Sequence, residues 1–185
     1  LFKDKFLPLS IDSFCHTTVP YVLSAFRDPL GLEDLDNDLD ASTPCAVARR
    51  ASISQGRALL TVWSKAFAHA LKLAAISSPG VLSVNGHLAP LWGCMCKALG
   101  LRLQETAYLF VFNHAKAVIS AAVRASVMGP YMAQSILASG HLERSICHTL
   151  ERVWFVRPDE AGQVVPLMDL WLGRHEMLYS RIFNS

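Results

Sequence analysis

One long segment, Gln104 to Met128, predicts a helix that is apolar on almost every side. Its polar residues fall at spacings of three and four along a single stripe, formed by Asn113, Lys116, Ser120 and Arg124. A helix with so narrow a polar stripe must be surrounded by other helices, because its remaining faces are unfavourable in contact with water. The segment therefore predicts a central helix in an all-α fold.

Start and stop signals divide the rest of the chain into further helices. Thr43 and Pro44 favour a helix start, whereas Gly100 and the pair Gly129 and Pro130 favour helix ends. No alternating strand pattern and no internal repeat interrupts them. We predict one helical domain over residues 1–185, a bundle of about seven helices, with segments at Thr17–Asp28, Leu32–Leu39, Cys45 to about Ile76, His87–Leu99, Tyr131–Ala138, His141–Val156 and Pro166–Leu178.

Composition and charge favour an oligomer and argue against a nucleic-acid-binding or membrane-spanning protein. Hydrophobic residues make up 52% and charged residues 17%, so the helices must bury more than one face each, which favours an oligomer. A net charge of +2, with no cluster of Lys and Arg, argues against nucleic acid as a partner. Mean hydropathy is +0.30, yet charges interrupt every apolar run before about 18 residues, so no membrane span is predicted. Five scattered cysteines suggest a reducing compartment, and we expect the cytoplasm.

Two surface features of the predicted helices concern packing. In the helix from Cys45, small residues form one stripe and polar residues another, and Gly56 predicts a tight helix crossing. The small stripe contains Val47, Ala51, Ala58, Val62 and Ala66, and the polar one Arg50, Ser54, Arg57 and Thr61. The helix from Leu32 has an acidic face, which we expect to be solvated, at Glu33, Asp34, Asp36, Asp38 and Asp40.

Motifs of catalysis are absent from the sequence. It contains neither a phosphate-binding glycine loop nor an HExxH, GxSxG or EF-hand pattern, so we predict no enzyme activity and no bound cofactor. The best metal candidate is His87 with Cys94 and Cys96, but two residues separated by two positions on a helix point about 200° apart, so we predict no metal site. Weaker sets are His141 and His148 with nearby glutamates, and His114 with Lys116 and Arg124.

A series of short strings in one order resembles the UreF family of urease accessory proteins. It includes Arg49-Arg50-Ala51-Ser52, Ser54-Gln55-Gly56, His87-Leu-Ala-Pro-Leu-Trp-Gly93, Tyr108-Leu-Phe110, Ser120-Ala-Ala-Val-Arg124 and Met128-Gly-Pro130. Leu167-Met-Asp169, His175 and the ending Tyr179-Ser-Arg181-Ile-Phe183-Asn-Ser185 are similar to the end of eukaryotic members. Together the strings extend over residues 43–185.

The resemblance implies an all-α homodimer that acts as a non-catalytic scaffold. Its partners would be a UreD (UreH)-like accessory protein, a UreG-like GTPase and apo-urease, in a complex that assists GTP-dependent nickel insertion. Nickel would be handled by the complex and not firmly bound by this chain. The resemblance implies that Tyr179, Arg181, Ile182 and Phe183 bind a partner protein. It implies a helix-packing or interface role for Arg50, Ser54, Gln55, Gly56 and Arg124.

The chain also departs from the family pattern at its beginning. Family members start with a Gly-Gly-Phe-x-His-Ser-like motif and a Gly-Leu-Glu turn, and nothing of that kind precedes Phe2. We therefore expect the given sequence to lack the first family segment. Two other interpretations are open: a small metal-binding carrier that uses His87, Cys94 and Cys96, and a helical adaptor unrelated to urease.

Overall fold

A computed structural model describes residues 1–66 and 84–178, and within these ranges the chain forms α-helices and short helical turns without any β-strand. The all-α prediction is confirmed. The helices are α1 (Leu7–Arg27), α2 (Leu32–Ser42), α3 (Ala46–Ala66), α4 (Leu88–Ala98), α5 (Leu103–Arg124), α6 (Pro130–Leu137), α7 (Gly140–Val153) and α8 (Pro166–Arg174). Shorter turns are Phe2–Phe6, Pro29–Gly31, Pro158–Glu160 and His175–Met177.

Helix α1 begins at Leu7 and not near Thr17, so the predicted start was wrong. Pro20 lies inside the helix and not in its first turn. A proline has no N–H, so it leaves the carbonyl of His16 without its helical partner. The backbone N–H of Gly162 donates to that carbonyl at 3.3 Å. The hydrogen bond from a distant segment replaces the lost one and makes Pro20 acceptable within the helix.

Helix α1, rather than the segment after Gln104, has the most buried residues of the described helices, ten against seven in α5. It packs against α2, α4, α5 and α7, and its fully buried residues include Ile11, Val19 and Leu23. Helix α5 lies beside it and buries only one side, with Leu109 exposed. The expectation that α5 is surrounded on all sides was therefore wrong, because one side of it is open to solvent.

Helix α5 is the one helix in the described part of the chain that is long and apolar enough to cross a membrane by length and composition alone. It packs against α1, α4, α6 and α7. Val111 and Ala115 are completely buried in these contacts. One side of the helix thus belongs to the core of the bundle.

Two glycines fix how the bundle closes around α4. Gly100 ends α4 with φ of +77°, as predicted from the sequence. A Cβ at Gly93 would collide with the carbonyl oxygen of Val22 and lie 3.0 Å from the backbone nitrogen of Phe26. Only glycine permits this close crossing of α4 over α1.

Candidate functional site

Helix α3 lies on the outside of the bundle. Its buried residues in the described range are Val47, Gly56 and Trp63, whereas Ser54 and Gln55 are exposed. The predicted small-residue stripe does not form one buried face, since Ala58, Val62 and Ala66 are exposed as well. Because α3 buries so few of its side chains, its outward side is available for contact with another protein.

Gly56 makes the close approach that was predicted, but against a loop instead of a helix. A Cβ at this position would collide with the carbonyl oxygen of Gly86 and lie 2.9 Å from the carbonyl carbon of His87. Arg57 holds the same loop from the exposed side, because its Nε donates to the carbonyl of Asn85 at 3.1 Å. Helix α3 is therefore seated directly on the segment that begins α4.

The acidic face of α2 is not wholly solvated, because Asp36 is completely buried. Its carboxylate accepts the backbone N–H of Asn85 at 2.5 Å, of Gly86 at 3.1 Å and of His87 at 2.6 Å. A carboxylate is stabilised at this place by the free N–H groups and the positive end of the α4 dipole. The sequence did contain a signal: Asp36 lies four residues after Leu32 and three before Leu39, on the apolar face of α2.

The fully buried His87, directly before α4, links this helix to α2 and α3. Its Nδ1 lies 3.0 Å from the hydroxyl of Ser52 on α3, and its Nε2 lies 3.1 Å from a carboxylate oxygen of Asp40 on α2. The Ser52 hydroxyl also accepts the N–H of Leu88 at 3.3 Å. A neutral imidazole satisfies all of these contacts, with Ser52 donating to Nδ1 and Nε2–H donating to Asp40. We call Asp36, Asp40, Ser52 and His87 the polar hub.

The serine, histidine and aspartate of the polar hub are ordered as in a hydrolase triad, but their contacts are structural. The nucleophile of a triad needs a free path to a substrate, whereas the Ser52 oxygen caps the first turn of α4 and the His87 ring has no exposed surface. Arg49 extends the hub, since it lies 3.7 Å from Asp40 and donates to the carbonyl of Thr43 at 2.6 Å. The arrangement fixes α2, α3 and α4 to one another.

The residues of the weak metal candidate do not converge. Cys94 donates from its thiol to the carbonyl of Ala25 at 3.6 Å, on the side of α4 that faces α1. Burial raises the pKa of Cys94 and of Cys96 to about 11, which favours the neutral thiols. Both imidazole nitrogens of His87 are engaged in the polar hub. Across residues 1–66 and 84–178, no three His, Cys, Asp or Glu side chains are placed to hold one metal ion.

The set around His114 is also not a catalytic group. The imidazole stacks on the ring of Phe14 with a centroid distance of 3.9 Å, and its Nε2 lies 3.0 Å from the hydroxyl of Ser10. Burial lowers the pKa of His114 to about 4. Lys116 and Arg124 lie exposed further along α5. His114 is thus a packing residue between α1 and α5.

The predicted partner-binding residues Tyr179, Arg181, Ile182 and Phe183 lie outside the described residues. The segment that leads to them is held beside the start of α3. Here Nδ1 of His175 lies 3.6 Å from the thiol of Cys45, and the ring of Trp171 lies 6.0 Å from that of Phe6. The residues that follow α8 therefore lie beside the beginning of α3.

Known proteins show clear similarity to this chain. A sequence model of the UreF family matches residues 5–141. A Schizosaccharomyces pombe protein named as an uncharacterized urease accessory protein UreF-like is 34% identical over 98% of this chain and 80% of its own length. The Arabidopsis thaliana urease accessory protein F is 33% identical over 95% and 74%, and the Cryptococcus neoformans urease accessory protein 6 is 28% identical over 83% and 63%.

Proposed function

The chain belongs to the UreF family of urease accessory proteins, and from this premise we propose that it is a non-catalytic scaffold for nickel insertion into apo-urease. Its partners in the proposal are a UreD-like accessory protein and a UreG-like GTPase, which hydrolyses GTP during metal transfer. Nickel is the cargo of the assembly, and this chain does not hold it firmly. We propose that the complex works in the cytoplasm, a location that the free cysteines support.

The observation that carries the scaffold role is the exposed face of α3, which includes Ser54 and Gln55. The polar hub supports this helix from behind through Ser52, and Gly56 sets its distance from α4. A rigid face with small and polar side chains loses little conformational entropy when a partner binds. Such a face favours recognition by another protein.

The tail from Tyr179 to Phe183 remains a proposed binding site for the UreD-like protein. Its support is the sequence match and the position of His175, which lies against Cys45 at the start of α3. We propose that one partner contacts both the tail and the exposed face of α3. A homodimer is part of the proposal because the chain is 52% hydrophobic and only 17% charged, and a second copy would bury part of this apolar surface.

The test is complementation of a urease-positive host that lacks its own UreF protein. The full chain is supplied with Gln55→Arg, and the matched control is Gln134→Arg, an exposed glutamine on α6. We expect the first variant to reduce urease activity and the nickel content of urease, together with capture of the UreD-like protein, and the control to behave as the parent. Full nickel loading with Gln55→Arg would refute the role of the α3 face.

Deletion of residues 179–185 tests the tail separately. The expected result is loss of UreD-like protein from pull-downs, with an unchanged melting temperature of the chain itself. Capture at the parental level would show that the tail is not needed. The host that lacks its own UreF protein should load less nickel into urease, and the parent chain should restore the loading. This comparison tests the accessory role independently of the α3 face and the tail.

A further inference from the structure

An open groove runs between α5 and α7, on a surface that the polar hub and the α3 face do not include. It has a volume of about 530 Å³ and is lined by Glu105, Tyr108, Cys147, Leu150, Glu151 and Trp154. Its floor is apolar, with Leu150 buried and the rings of Tyr108 and Trp154 partly exposed. The rim is acidic.

The charges of the rim are unbalanced. Glu105 forms an ion pair with Arg102 at 2.6 Å, but Glu143 and Glu151 have no ion-pair partner in the part of the chain that the structure describes. Both carboxylates are close enough to raise the pKa of the Cys147 thiol, after burial as the main cause. The groove thus has an apolar floor and, on the side of α7, two carboxylates without an ion-pair partner among the described residues: Glu151, which lines the groove, and Glu143, one turn before Cys147.

We propose that this groove binds an amphipathic helix of a different protein, one that places apolar side chains on the floor and lysine or arginine beside Glu143 and Glu151. The distance along α7 from Glu143 to Trp154 is roughly 16 Å, the length of about three helical turns. This shape corresponds to the helix-in-groove mode of recognition. Opposite charge on the partner would add specificity and a faster association.

A second copy of this chain is the less favourable occupant. A two-fold symmetric contact brings the same patch of both copies together, so it would bring the acidic residues of both rims, Glu143 and Glu151, into one interface without adding a basic partner from the groove lining. Like charges across an interface oppose association. The inference uses only the shape and charge of the groove and does not depend on the proposed role in nickel insertion.

The test uses the full chain and a fluorescein-labelled designed helix of about 18 residues, with leucine and phenylalanine on one face and lysine on the other. Its twin carries glutamate in place of lysine. We expect the basic helix to bind with anisotropy that increases on titration, and the acidic twin to bind at least about tenfold more weakly, equivalent to 1.4 kcal/mol. Equal binding of the two helices would overturn the proposal.

Two variants locate the binding. Cys147→Trp fills the groove at an exposed position, and Glu151→Lys reverses a rim charge, whereas Asp34→Lys makes the same change on the exposed surface of α2. Each groove variant should weaken the basic helix at least about tenfold, and Asp34→Lys should leave its affinity unchanged. Equal losses in all three variants would overturn the proposal.

Sedimentation of the parent and of Cys147→Trp, with circular dichroism to check the fold, excludes the alternative occupant. An unchanged mass supports binding of another protein's helix. Conversion of a dimer to a monomer by Cys147→Trp would assign the groove to self-association and overturn the proposal.

Discussion

Replacement of Gly56 by alanine should loosen the seat of α3 on the bundle. The added Cβ collides with the carbonyl of Gly86, and that loop cannot retreat freely because Asp36 holds three of its N–H groups. Overpacking of this kind costs about 1–3 kcal/mol. Weakening of one hydrogen bond to a charged group adds about 1.5 kcal/mol or more. The higher helix propensity of alanine returns up to about 1 kcal/mol, so we expect a net loss of about 1.5–3.5 kcal/mol in the free energy of unfolding.

For a chain of this size, that loss corresponds to a decrease of about 3–14 °C in Tm, at about 2–4 °C for each kcal/mol. Thermal unfolding followed by circular dichroism measures it. The matched control is Gly173→Ala in α8, where a Cβ meets no atom within 4 Å and helix propensity favours alanine by up to about 1 kcal/mol. If Gly56→Ala melted within a degree of the parent, the loop would be compliant and the reasoning wrong.

Three further predictions concern the buried polar groups and the thiols. Asp36→Ala leaves the buried N–H groups of Gly86 and His87 and the half-buried N–H of Asn85 without an acceptor. It should cost about 3 kcal/mol or more in urea unfolding, whereas Asp36→Asn retains one acceptor and should cost less. Burial lowers the pKa of His114 from 6.5 to about 4, so the unfolded chain takes up a proton at a higher pH than the folded chain. The free energy of unfolding should therefore decrease by about 2 kcal/mol from pH 7 to pH 5, and His114→Phe should reduce that decrease. In the native protein, Ellman's reagent should modify Cys147 rapidly, and the four buried cysteines should react only after unfolding; rapid reaction of several thiols would contradict the described burial.

The helices whose ends carry strong local signals were predictable from the sequence. Gly100 ends α4 through a left-handed φ, and Pro130 begins α6 after Gly129. These signals act within one turn of the chain, so they need no knowledge of the tertiary structure. The start of α1 was not predictable in this way, because acceptance of Pro20 depends on Gly162, a residue far along the chain.

The candidate site was predictable only in part. Gly56 was identified as a close approach, yet its neighbour proved to be the loop at Gly86. Asp36 was assigned to solvent with the other acidic residues of α2, although its register placed it among the leucines. Its partners are backbone groups, which leave no trace in the residue types. The partner-binding tail stays a prediction that rests on the resemblance to the family.

The proline inside α1 affects how this helix is joined to the segment before α8. Because of Pro20, the carbonyl of His16 has no helical donor, and the N–H of Gly162 in the segment before α8 donates to it. Pro20→Ala would return an N–H to the helix and let it compete for that carbonyl. A substitution that improves the helix in isolation would thereby weaken one contact of the segment before α8, and the contacts of Trp171 with Phe6 and of His175 with Cys45 would have to hold this region instead.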